Sequence, residues 1–218
     1  MKPVIFVLAL AFIFSSNEVA YSQSAKDPKA QEILKGVSAK YKAMKSLSAS
    51  FKITSQDQKA KTTDTQSGNL LVKGDKYKLS LKGQEVISDG KTVWTYLKES
   101  NEVQVNDAGE KTDGISPTNI FTIYEKGFAT KYAGDKKEGT KTLQQIELVP
   151  DDTKKGFFKI QLFIDKQDKV IKNAKIFNKN GTNMSYVIDQ FKMNADAPDA
   201  VFTFDKSKYP GVEEVDLR

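Results

Sequence analysis

The residues that could carry chemistry are nearly all carboxylates and lysines. Asp89, Asp107, Asp113, Asp165 and Asp168 stand out, and a pair of carboxyls flanking a sugar bond could hydrolyse it as acid and base. They fall mostly among turn-forming neighbours, where an Asp side chain accepts backbone hydrogen bonds, and turn formation accounts for them. The chain has no histidine and no cysteine. That removes Ser-His-Asp and Cys-His catalysis, the commonest metal ligands, disulfides and the usual near-neutral titrating group. The glycines sit in turns, and no glycine-rich phosphate loop is present. The expectation is a binding protein, not an enzyme, with no catalytic residues, no metal and no cofactor.

Lysine and arginine together number 34 against 28 acidic residues, a formal net charge of +6. The sole arginine is Arg218, and the lysines are spread along the chain. Arginine is the usual reader of base edges, so no nucleic-acid partner is expected. Solvated strand faces account for the lysines. A weak attraction to anionic membrane surfaces is their functional reading.

Lys2 followed by an uncharged apolar run over residues 4–14, closed by Ser15, Ser16, Asn17 and Glu18, reads as a signal peptide. Ala20-Tyr21-Ser22 offers a cleavage site. The run is shorter than the roughly 20 apolar residues a bilayer span requires. Residues 1–23 are therefore expected to be removed on export, leaving residues 24–218 as one domain in a periplasmic compartment.

In that domain, Asp27-Pro28 is an N-cap followed by proline at the first helical position. Ala30, Ile33, Leu34, Val37, Tyr41 and Met44 then share one helical face. From Leu47 the period becomes two, with Leu47, Ala49, Phe51 and Ile53 alternating with polar residues. The stretch 56–65 reads as a long hairpin loop. Strands follow at 68–73, at 77–81, and at 85–88 with 91–97 around Asp89-Gly90, and at 102–105. Ser116-Pro117 repeats the cap signal before a short apolar helix, containing Ile120, Phe121, Ile123 and Tyr124, that ends at Gly127. Further strands are expected at 143–149, 157–164, 170–177, 184–193, 201–204 and 212–217.

About ten antiparallel strands at short regular spacing predict a mainly β fold, a barrel or sandwich. Strands apolar on one side, with only two helices to cover them, suit a single curled sheet with helices in its mouth. Such an arrangement leaves an apolar cavity. Val37, Tyr41, Phe51, Leu70, Val72, Tyr77, Leu79, Trp94, Tyr96, Ile120, Phe121 and Tyr124 are its candidate lining, and for Trp94, Tyr96, Phe121 and Tyr124 ordinary core packing is the alternative role.

Four stretches resemble the LolA family of periplasmic lipoprotein carriers. They are Gly68-Asn69-Leu70-Leu71-Val72-Lys73 with Lys76-Tyr77-Lys78-Leu79, and Ile87-Ser88-Asp89-Gly90-Lys91-Thr92-Val93-Trp94-Thr95-Tyr96. Ser116-Pro117 with Ile120, Phe121 and Ile123 is the third, and Phe202-Thr203-Phe204 with Pro210-Gly211-Val212 the fourth. The resemblance implies an incomplete antiparallel β-barrel with a helical lid over a hydrophobic cavity. It also implies acylated lipoproteins as cargo, loading from an inner-membrane ABC transporter, and delivery to the outer membrane, with or without a receptor there. The carrier is expected to be a monomer. The family often has an arginine after the second strand that latches the lid. Gly74 stands there, beside Asp75. The segment 117–126 is then expected to be a lid held by apolar packing alone. A lipid or lipoprotein sensor, or a carrier of another lipid, is the alternative on the same fold.

Overall fold

The computed structural model describes residues 26–109 and 122–218. Asp27, Pro28 and the apolar stripe act as the sequence suggests. Asp27 Oδ1 accepts hydrogen bonds from Lys29 N and Ala30 N, and helix α1 runs Pro28–Lys42. Ala30, Leu34, Val37 and Tyr41 form its buried face, and Lys40 and Lys42 sit in the last turn, where cations complement the helix dipole.

Twelve strands follow. These are β1 (Leu47–Asp57), β2 (Thr62–Lys73), β3 (Lys76–Leu81), β4 (Gln84–Ser88), β5 (Thr92–Leu97) and β6 (Glu102–Asp107). After a 3-10 turn at Ile123–Glu125 come β7 (Phe128–Glu138), β8 (Lys141–Pro150), β9 (Phe157–Asp165), β10 (Ile171–Asn178), β11 (Thr182–Met193) and β12 (Glu213–Asp216). They form one open sheet in the order β12-β6-β5-β4-β3-β2-β1-β11-β10-β9-β8-β7. Every pairing is antiparallel except β12 on β6. An incomplete barrel with a helix on its inner face is thus observed.

Several expectations need correction. The polar stretch 56–65 is mostly strand, because β1 and β2 stay paired out to Asp57 and Thr62, and only a tight turn capped by Asp57 remains. Residues 128–138 form a full edge strand, β7, that the sequence reading lacked. Its outer half is polar, so no alternation marks it. Residues 199–202 are a 3-10 turn and not part of a strand. Of the expected second helix only residues 122–126 are described, and there Ile123–Glu125 form a 3-10 turn. Ser116, Pro117, Ile120, Phe121 and Asp113 lie outside the described residues.

The sheet carries two cores. Residues opposite each other in register share a face. On the concave face Leu47, Val72 and Leu70 join Ile146, Leu148, Ile160, Leu162, Ile164 and Ile176 beneath α1. On the convex face of β3–β6 the C-terminal segment closes a second core. Its members are Ile87, Val103, Val105, Phe202 and Val212, all buried. Rings of Tyr96, Phe204 and Tyr209 stack there, Tyr209 lying 4.5 Å from each of the other two. Asp199 pairs with Lys73 at 3.0 Å and Lys76 at 3.2 Å, fastening the segment at its start.

Candidate functional site

Two of the candidate carboxylates, Asp89 and Asp165, cap turns. Asp89 Oδ1 accepts from Lys91 N and Thr92 N, both at 2.8 Å. Burial opposes its ionisation, but the N–H groups of Thr92 and Lys91 outweigh that and hold the carboxyl below its ordinary range. Asp165 behaves alike. Burial raises it, and the Lys141 ammonium at 2.6 Å with the N–H groups of Asp168 and Gln167 brings it down. A glycosidase acid needs a raised carboxyl, which neither of these is.

The remaining candidate is the concave face. Helix α1 is fastened across one half of it. Asp27 N donates to Thr130 O at 3.0 Å, and Asp27 Oδ2 accepts from Tyr132 N at 2.9 Å. Near its other end the Tyr41 hydroxyl accepts from Ile171 N at 3.2 Å, and the Tyr41 ring meets Phe191 edge-on at 5.7 Å. Ser38 Oγ donates to the Tyr124 hydroxyl at 3.3 Å, and Lys42 pairs with Glu125 at 2.6 Å. Burial pushes the phenols of Tyr41 and Tyr124 up, Tyr124 to about 12. Tyr77 and Tyr186 are also raised by burial. All four therefore stay neutral across physiological pH.

Beyond α1 the face is apolar but only half-covered. Phe51, Tyr77, Leu79, Met184, Tyr186 and Ile188 pack against the inner core and remain partly exposed. Gly68 lets Phe51 and Leu81 meet across β2, since a Cβ there would come within 2.6 Å of both side chains. The result, among the described residues, is an apolar trough walled by aromatic and flexible aliphatic groups. It can hold extended hydrocarbon, and its named residues offer no acid, base or nucleophile poised for reaction.

The twelve residues singled out from sequence divide into five sets. Val37, Tyr41, Leu70 and Val72 are buried core beneath α1. Phe51, Tyr77 and Leu79 are partly buried and pack against that core on the concave face. Tyr124 is buried and bonded to α1. Ile120 and Phe121 lie outside the described residues.

Trp94 and Tyr96 are on the wrong face for a cavity lining. Leu79 pairs with Val86, and Val86 with Thr95, so Thr95 faces inward and its neighbours outward. Trp94 instead stands across from Ile87 and Val105, and Tyr96 stacks on Tyr209. Conversely, Met184, Tyr186 and Ile188 went unnamed. Their alternation was visible, but only the β1–β11 pairing sets them beside Phe51.

Two hollows occur elsewhere. One, of about 620 Å³, lies between α1 and the 3-10 turn and includes Leu34, Ser38 and Tyr124. The other, of about 670 Å³, is a saddle of mixed polarity around Ser48, Ser50, Leu71, Lys78 and Phe191. Of the sequence candidates the first touches Tyr124 and the second Leu70. Gly74, at the expected latch position, has φ +58° and nothing within 4 Å of where a Cβ would be.

Among the described residues, an open β-sheet half-filled by one amphipathic helix, with an apolar trough beside it, defines a class of proteins built to hold lipophilic groups. Residues 42–205 match the family of the outer membrane lipoprotein carrier protein LolA, and the chain belongs to that family. An uncharacterized protein of Methanocaldococcus jannaschii is 26% identical over 190 residues, covering 85% of this chain and 54% of that protein. The chain thus spans about half the length of that relative. An uncharacterized conserved protein from Thermus thermophilus superposes with a TM-score of 0.59 at 13% identity, over 86% of this chain and 99% of the other. The Mycobacterium tuberculosis lipoprotein LppX gives 0.54 at 13% identity, over 79% and 99%. At these identities both show the shared fold. Among the described residues no helix is long and apolar enough to cross a membrane.

Proposed function

We propose that the protein is a carrier of acyl chains, taking lipoproteins from an inner-membrane ABC transporter and delivering them to the outer membrane through the periplasm. The half-covered concave face carries this reading, because Phe51, Leu79, Met184, Tyr186 and Ile188 give it a continuous apolar surface. The family's description as lipoprotein carriers supports it.

Energetics favour loose holding. Each buried methylene is worth about 0.8 kcal/mol, so a sixteen-carbon chain carries roughly 12 kcal/mol of water avoidance. Affinities saturate near about 20 kcal/mol. A carrier that must release several chains needs an adaptable trough, and a face rich in methionine and aromatic side chains suits that. With Gly74 at the latch position, the empty protein has no arginine there to hold a lid closed.

Native mass spectrometry of the protein purified from the periplasm tests the proposal. Retained lipoprotein or acylated lipid is the expected result. Consistently bare protein, together with no uptake of a fluorescent acyl chain, would reject it.

A further inference from the structure

Three turns meet at one end of the sheet. Lys179 N donates to Gly156 O at 2.8 Å, and the Lys179 ammonium reaches Thr153 O, tying the β10–β11 turn to the β8–β9 loop. Gln58 N donates to Gly181 O at 3.1 Å, adding the β1–β2 turn.

Beside this platform β9 and β10 slip register. Phe177 pairs with Lys159 and Asn178 with Phe157, which leaves Phe158 unpaired in a bulge. A bulge re-aims a side chain. Phe157 stays inside, stacked on Phe128 at 6.2 Å, while Phe158 turns out, 49% exposed, against Phe177 at 6.1 Å. Val149 on β8 is also exposed, at 48%.

Lysine surrounds these apolar groups. Residues 57–61, 151–159 and 177–181 hold six lysines against three aspartates. Asp57 and Asp152 are engaged in capping their own turns. The Lys159 ammonium lies over the Phe177 ring at 4.7 Å and pairs with Glu147 at 3.8 Å, so of the six this lysine is partly engaged on the protein itself.

We propose that this end of the sheet docks on an anionic lipid surface, with Phe158 entering the interface and the lysines meeting headgroups. An exposed ring framed by flexible cations matches the two-part chemistry of such a surface, apolar beneath and negative above. Neither of the two hollows touches the platform. Ile53 and Met184, on the strands leading into the joined turns, belong to the apolar concave side, so docking brings that side toward the bilayer. This rests on the carrier reading for its purpose, not for its geometry.

Each lysine near an anionic surface is worth about fivefold in partitioning. The test is flotation of the protein, as its host releases it, with phosphatidylcholine vesicles with and without phosphatidylglycerol. Wild type is expected to float with the anionic vesicles only and to be released by salt. Lys154→Glu with Lys155→Glu should cut partitioning at least about tenfold, and Phe158→Ser should cut it severalfold. Lys91→Glu with Lys137→Glu, far from the platform, should leave it nearly unchanged. Equal binding to neutral vesicles, an equal loss in the distant pair, or undiminished binding by the platform variants overturns the proposal. So does a wild type that stays in solution and binds an acidic protein instead. Acyl-chain uptake measured without vesicles separates the two readings. Uptake without flotation refutes docking alone, and flotation without uptake refutes the carrier.

Discussion

Gly68 sits on β2 between Phe51 of β1 and Leu81 of β3, its cross-strand partners. Adding one methyl there is a sharp probe of the trough. In Gly68→Ala the new carbon would lie 2.6 Å from Phe51 Cζ, 2.6 Å from Leu81 Cδ2 and 2.9 Å from Phe51 Cε2. The Leu81 methyl can rotate away, but the Phe51 ring moves only as a whole. Overpacking of this kind costs about 1–3 kcal/mol. Against it stands a gain of about 0.4–1 kcal/mol from the stiffer unfolded chain, since Gly68 is not at positive φ and alanine fits its backbone. The net is a loss of up to about 2.5 kcal/mol. Urea unfolding should show a lower midpoint with an unchanged slope. Because the displaced ring swings within the trough, acyl-chain uptake should also fall. A variant more stable than wild type by about 0.5 kcal/mol, the unstrained outcome, would show that Phe51 and Leu81 do not close over Gly68.

Tyr41→Phe removes the acceptor of the buried Ile171 N–H and should cost about 1–3 kcal/mol in urea unfolding, with the helix still in place. Asp165 gives a pH signature. Its folded carboxyl lies below the unfolded value near about 3.9, so its stabilisation is present above that value and is lost as pH falls through the folded one. Asp165→Asn should therefore be clearly less stable than wild type at pH 7, and the gap should narrow in acid unfolding curves below about pH 4. A gap that stays constant to low pH would separate Asp165 from the Lys141 ion pair.

Much of the fold was legible because period and punctuation agreed. Asp27-Pro28 started a helix, the Ala30-to-Tyr41 stripe buried it, and Asp89-Gly90 made a hairpin. The site was only partly legible, and the reason is parity. On a strand, a shift of one residue exchanges faces. Trp94 and Tyr96 alternate as regularly as Tyr77 and Leu79, and nothing local says which set faces α1. That is fixed by the chain of pairings from Leu70 through Leu79 and Val86 to Thr95, and by a C-terminal segment that arrives about a hundred residues later. The Phe158 bulge was illegible for a related reason, since two adjacent phenylalanines read as one apolar run.

The convex core explains how the concave face can stay open. A sheet stabilised from one side only would have to cover that side completely. Strands β4 to β6 instead bury Ile87, Val103 and Val105 outward against Phe202 and Val212. Each such side chain contributes about 1.5–3 kcal/mol when fully enclosed. Much of the apolar burial of those strands therefore lies opposite the trough. The aromatic hairpin that looked like a cavity wall serves the site from behind. By anchoring β5 on its outer face, Tyr96 and its stack on Phe204 and Tyr209 allow the inner face of the neighbouring strands to remain partly uncovered, as the proposed carrier role requires.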